Sequence, residues 1–259
     1  MLTLLFITSG CGVTEQSGAA DGSNRPEPIT LTVSAASSLA DTLTEINYLY
    51  IHLDENIRIE TNFAASGDLV NQIKQGAPAD IFISAAPGQM NELQDNGYIL
   101  SETRRDLLGN EIVLIVPVDS PLAITEFEDL IKADVIRIAI GDPDFVPAGS
   151  YARQALELCG IYEELKTKFI FGSNVRQVLN YVESGNVDAG FLFATDVLSP
   201  DRVRIAVSAP AEINDSIVYP VAVIASSANI EAAKNYLDFL FSTEAEEIFE
   251  KAGFVFIGN

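Results

Sequence analysis

The stretch Ile138-Ala139-Ile140-Gly141-Asp142-Pro143-Asp144-Phe145-Val146-Pro147-Ala148-Gly149-Ser150-Tyr151 decides the fold class. Its apolar opening has β character, Gly-Asp-Pro turns the chain, and Pro-Ala-Gly-Ser leads into a helical pattern. The stretch reads as a strand, a loop and the bare N-terminus of a helix. The first amide N–H groups of such a helix have no partner within it and are free to bind an anion. One junction of this kind is weak evidence, since any α/β protein has several. Three more of the same character occur here: Ala36-Ser37-Ser38-Leu39, Ala65-Ser66-Gly67-Asp68 and Ser173-Asn174-Val175-Arg176.

Working outward, strands and helices alternate from Thr30 onward. The pattern predicts strands over 31–36, 57–63, 80–85, 111–116, 136–140, 169–171, 188–193 and 217–225. It predicts helices after Ser37 or Ser38 as cap, from Ser66 to Gly76, and over 87–96, 125–133, 149–159, 174–184, 230–241 and 243–252. A βαβ rhythm of this kind gives an α/β class with largely parallel sheets flanked by helices. Two such series in 259 residues suggest two lobes. Residues 30–109 and 219–259 form one, and 110–218 form the other. Strands 111–116 and 217–225 carry the chain between them. A ligand then belongs in the interlobe cleft, beyond the carboxyl ends of the strands.

Composition narrows the function. The chain is 48% hydrophobic, enough for real cores. A net charge of −22 argues against a nucleic-acid partner and against electrostatic docking to anionic lipid. A small anion can still bind where local dipoles outweigh the repulsive far field. The only histidine, His52, lies late in the first helix and reads as a surface residue. It is over three turns from Ser38, too far to serve as base for a hydrolase using Ser38 or Ser66 as nucleophile. Asp142 and Asp144 belong to a turn. A receptor-type sensing module would need a membrane-spanning or signalling segment that the sequence does not show. The expected cofactor set is empty and no enzyme activity is expected.

Two cysteines differ in role. Cys11 follows Leu4-Leu5-Phe6-Ile7-Thr8-Ser9-Gly10, a short apolar run ending in small residues. This resembles a bacterial lipoprotein signal, with Cys11 as the lipidated residue. Residues 1–29 then comprise the signal and a flexible tether. Cys159, at the end of a helical pattern, reads as a buried structural thiol.

The four junctions together offer a ring of donors and no acceptor. Such a ring suits a fully deprotonated oxyanion and disfavours a ligand that keeps a proton, such as monohydrogen phosphate. Plain helix capping by Ser and Asn is the alternative at each junction taken singly.

The residues that carry a specific resemblance run in order from about 30 to 256. They include Ser34-Ala35-Ala36-Ser37-Ser38-Leu39, Phe63-Ala64-Ala65-Ser66, Gly76-Ala77-Pro78-Ala79-Asp80-Ile81-Phe82-Ile83-Ser84-Ala85, Leu107-Leu108-Gly109-Asn110, Val146-Pro147-Ala148-Gly149, Val175-Arg176 and Tyr219-Pro220-Val221-Ala222-Val223. In these the chain resembles the molybdate-binding proteins of molybdate ABC importers, a type 2 periplasmic-binding-protein fold. The resemblance implies a monomeric, extracytoplasmic protein that binds molybdate, and also tungstate, and delivers it to a membrane permease. Sulfate or phosphate is the alternative ligand. Molybdenum would enter only as the oxyanion. The implied ligands are the hydroxyl and amide of Ser38 and Ser66 and the amides of Ala148 and Val175. The family's fifth ligand, a tyrosine hydroxyl, falls on Phe193, where the donor is absent.

Overall fold

A computed structural model describes residues 28–197 and 201–258; Cys11 and the tether up to residue 27 lie outside it. The first series comprises β1 (Ile29–Ala36), α1 (Ala40–Leu53), β2 (Ile57–Ala64), α2 (Ser66–Lys74), β3 (Ile81–Ile83), α3 (Pro87–Asp95) and β4 (Arg105–Gly109). The second comprises β5 (Ile112–Pro117), β6 (Ile138–Gly141), α4 (Pro147–Leu158), α5 (Tyr162–Leu165), β7 (Phe169–Gly172), α6 (Val175–Glu183), β8 (Ala189–Phe193), β9 (Val203–Ser208) and α7 (Ala211–Asn214). The chain then returns through β10 (Val218–Val223), α8 (Ile230–Phe239), α9 (Thr243–Lys251) and β11 (Val255–Phe256).

Two sheets result, with strand orders β11-β4-β10-β3-β1-β2 and β7-β6-β8-β5-β9. β1 runs parallel to β2 and β3, and β6 runs parallel to β7 and β8. Every other pairing is antiparallel and involves β4, β5 or β10. The sheets are therefore mixed rather than largely parallel. The βαβ rhythm fixes direction only where a helix returns the chain to the same sheet. β4, β5 and β10 flank the passages between sheets, where no such crossover acts.

Other differences have local causes. The helix expected over 125–133 is a 3-10 turn, Phe127–Ile131. Asp129 turns its carboxylate onto the amides of Thr125 and Glu126, and Lys132 leaves the helical region at φ −50°, ψ 147°. β4 has no clear strand pattern in the sequence because Arg104-Arg105-Asp106 masks Leu107 and Leu108, both fully buried. β1 starts at Ile29, ahead of the expected Leu31. Cys159 is half-buried rather than buried.

The second series packs tightly where β6 meets α4. Gly149 sits against the backbone of Gly141: a Cβ on Gly149 would lie 1.9 Å from the Gly141 carbonyl oxygen. The helix can dock on the strand end only without that atom. Gly149→Ala is expected to lower stability by at least the ~1–3 kcal/mol typical of overpacking. Gly88→Ala, where a Cβ meets nothing within 4 Å, should be neutral or stabilise by about 0.5–1 kcal/mol. Chemical denaturation of the two variants checks the contrast.

Candidate functional site

The site follows from how the parallel strands end. β1 and β2 finish level, with Ala36 opposite Ala64, and β6 and β7 finish level, with Gly141 opposite Gly172. Each sheet thus presents two helical starts side by side. A 3-10 turn, Ser37–Leu39, follows β1 and runs into α1. Ser66 is the first residue of α2, Ala148 the second of α4 and Val175 the first of α6. Ser38, Ser66, Ala148, Val175 and Phe193 all line one small cavity, together with Ala36, Ser37, Ala64, Ala65, Ala85, Val146 and Pro147. The centre of a water-sized sphere can move through about 10 Å³ of it. The five residues singled out in the sequence are therefore brought together.

Capping proves to be the wrong reading for two junctions and the right one for another. The N-cap positions at the first two helical starts are Ala36 and Ala65, and no side chain caps either. Ser37 and Ser38 already lie inside the 3-10 turn, and Ser66 lies inside α2, so none of them occupies the capping position. Asn174 is a true cap: its Oδ1 accepts the Gln177 amide at 3.0 Å. Among the described residues, the amides of Ser38, Ser66, Ala148 and Val175 find no protein acceptor. The Ser66 hydroxyl oxygen accepts the Ala85 amide at 3.0 Å. Its own proton is left for the cavity. Ser38 Oγ lies 3.1 Å from the Tyr219 hydroxyl.

The lobes meet beside this cavity. The Gly67 amide donates to the Phe145 carbonyl at 3.0 Å, and a Cβ on Gly67 would lie 2.7 Å from that oxygen. Arg176, the one cation in the four junctions, turns away to pair with Asp41 at 2.6 Å. Both partners of that pair are open to solvent, so it adds at most about 1 kcal/mol. It borders a larger cleft of about 620 Å³, lined by Asp41, Glu45, Arg176, Glu183, Thr195, Asp196 and Lys251, with Ser38 shared between the two spaces.

Neither hydroxyl that could stand in for the family's tyrosine lines the small cavity. Tyr151 donates to the Ser216 carbonyl at 3.3 Å. Thr195 accepts from Asn110 and faces the larger cleft. Phe193 is buried, with its ring near Tyr151 and Tyr219. Among the described residues, no histidine or carboxylate hydrogen-bonds to the Ser38 or Ser66 hydroxyl. Tyr219 is fully buried, and burial pushes its pKa well above the ordinary phenol value. His52 is exposed, with Nδ1 2.7 Å from the Tyr48 carbonyl. Asp142 accepts the Asp144 amide at 3.1 Å, as a turn residue does. Two contacts beside the cavity are not readable in the sequence: Asn110 and Tyr219 reach Ser38 and Thr195 from distant segments. Both residues stand in the motifs quoted above, which gave them no role.

A family model of bacterial extracellular solute-binding proteins matches residues 31–255. The chain belongs to that family. It is 39% identical over 98% of its length, and 95% of the relative's, to YvgL of Bacillus subtilis, provisionally named an ABC transporter substrate-binding lipoprotein. It is 33% identical to the molybdate-binding protein ModA of Escherichia coli, over 86% of this chain and 88% of that one. The fold matches the periplasmic molybdate-binding protein of Azotobacter vinelandii with a TM-score of 0.78 at 22% identity, over 87% of this chain and 98% of that one. The family's members bind solutes, and the two-lobed α/β architecture is theirs.

Asp196 carries a testable consequence. Both of its carboxylate oxygens are buried without a hydrogen-bond partner among the described residues. Burial raises its pKa to about 7, opposed by the Arg176 guanidinium and by the nearby Phe193 backbone, too far for a good hydrogen bond, and reinforced by Asp41. A carboxyl raised in the folded state contributes stability that is full below its unfolded value near 4 and is lost as pH rises through about 7. The melting-temperature gain of Asp196→Asn over wild type should therefore grow between about pH 4 and pH 8. A gain that stays constant with pH contradicts the assignment.

Proposed function

We propose that this protein captures molybdate, and tungstate as a second ligand, and delivers it to the membrane permease of an ABC importer. The observation that carries the reading is the convergence, among the described residues, of four amides without a protein acceptor and two serine hydroxyls on one cavity with no carboxylate in its lining. Ser38 and Ser66 contribute hydroxyl and amide; Ala148 and Val175 contribute amides. A dianion there would satisfy donors from both lobes at once, and only a ligand that favours the closed state can drive closure. Residues 30–109 and 219–259 would close as one lobe on 110–218. Chemistry on the bound solute is not required: the ion is carried, not converted. The similarity to ModA supports the choice of molybdate. The absent hydroxyl at Phe193 makes sulfate or phosphate the competing ligand.

We place the protein outside the cytoplasm, as a monomer held to the membrane through lipid on Cys11. Residues 12–29 would tether the fold near its permease. The name of the Bacillus subtilis relative supports the anchor.

Calorimetry and thermal unfolding test the ligand. Molybdate and tungstate should bind one per chain and raise the melting temperature by linkage. Tight phosphate binding with no response to molybdate contradicts the assignment. Ser38→Ala and Ser66→Ala should each lose a hydrogen bond to a charged group, about 1.5–3 kcal/mol, or roughly ten- to a hundredfold in affinity. Phe193→Tyr should tighten binding by a similar amount, since neither Tyr151 nor Thr195 supplies the missing donor. Mass spectrometry of the mature chain should find acyl groups on Cys11; a mature start elsewhere without acyl mass rejects the anchor.

A further inference from the structure

Ser38 can donate to an oxyanion only if its hydroxyl proton is not engaged elsewhere. Residues outside the small cavity decide this. Asn110, buried between β4 and β5, accepts the Glu111 amide on its Oδ1 at 2.8 Å. A backbone amide can only donate, so this contact fixes which end of the carboxamide is oxygen. Asn110 Nδ2 then carries both protons. It donates to Thr195 Oγ1 at 2.9 Å and to the Tyr219 hydroxyl oxygen at 3.1 Å. The remaining partner of that phenol is Ser38 Oγ, at 3.1 Å. A phenol has one proton. If Ser38 donated to Tyr219, the phenol proton would be buried with no acceptor among the described residues, an arrangement folded proteins avoid. Tyr219 therefore donates to Ser38. Ser38 accepts from outside the cavity, which leaves its own proton free to point inward.

We propose that Asn110 and Tyr219 are positioning residues that set the hydrogen-bond polarity of Ser38 and so select fully deprotonated tetrahedral oxyanions over those that keep a proton. Ser66 reaches the same polarity by an independent route, since the Ala85 amide donates to its Oγ. Both serine hydroxyls then meet the ligand as donors. A protonated oxyanion would bring its proton against these donors, and a serine could accept it only by turning its own proton away from the ligand. Burial keeps the Tyr219 phenol protonated, so the relay holds over the working pH range. The inference rests on the reading of the cavity as an oxyanion site, and goes beyond it by assigning selectivity to two residues that do not line the cavity.

Sulfate and monohydrogen phosphate make the test, because above neutral pH they share shape and charge and differ by one proton. Affinities for both, and for molybdate, are measured by calorimetric competition on wild type, Tyr219→Phe and Asn110→Asp, each checked for cooperative unfolding. Wild type should prefer sulfate to phosphate. In Tyr219→Phe, Ser38 is free to turn a lone pair to the ligand proton, and the sulfate-to-phosphate preference should fall at least tenfold. Asn110→Asp gives the phenol proton an acceptor, so that Ser38 can donate to Tyr219 and turn a lone pair inward; it should lower the preference in the same direction, and it decides the matter if Tyr219→Phe does not fold. Equal weakening for both anions, with the preference unchanged, overturns the relay and leaves Tyr219 a packing residue. Absence of any oxyanion binding in wild type overturns the functional reading, and the relay with it.

Discussion

The amide N–H groups at the start of a helix cannot be satisfied by the helix itself, and the rest of this structure is arranged around four such starts. Two pairs of parallel strands end level with one another, so each lobe delivers its two starts side by side. The lobes touch backbone to backbone at Gly67 and Phe145, which brings the pairs face to face. Small residues make that approach possible. Alanine occurs at Ala36, Ala64, Ala65, Ala85 and Ala148 in the cavity wall, and glycine occurs where a Cβ would strike backbone. Partnerless buried donors are unfavourable unless something accepts from them. A tetrahedral oxyanion is such an acceptor.

The charge of the chain, −22, makes the separation of the two spaces between the lobes significant. Carboxylates gather at the larger cleft, where Asp41 and Glu45 are countered by Arg176 and Lys251. Among the described residues, none lines the small cavity. Fixed dipoles at short range can then dominate a repulsive field that solvent and salt screen at longer range. No lysine or arginine among the described residues lines the small cavity either. Recognition of an anion by dipoles alone would leave selectivity to size and to the direction of each hydrogen bond. That is why the orientation of the Ser38 proton carries weight.

Much of this was legible in the sequence because it is local. A strand followed by Ala-Ser-Ser or Pro-Ala-Gly announces a junction within a few residues, and Ser38, Ser66, Ala148, Val175 and Phe193 do converge. What was not legible depends on distant segments. Ser38 and Tyr219 are 181 residues apart, and Asn110 and Tyr219 are 109 apart. No local pattern connects them. The direction of β4, β5 and β10 was hidden for the same reason, since periodicity reports burial and not which neighbour a strand joins. The plain-cap alternative at Ser38 and Ser66 could be dismissed only once each serine was seen one or two residues inside its helical segment.

The central claim is where the anion sits. Crystals grown with molybdate and measured across the molybdenum absorption edge locate the metal directly. The account predicts one anomalous peak in the small cavity, within hydrogen-bonding reach, through its oxygens, of the Ser38 and Ser66 hydroxyls and the amides of Ala148 and Val175. A peak in the larger cleft beside Arg176 and Lys251, with the small cavity unchanged, would contradict it.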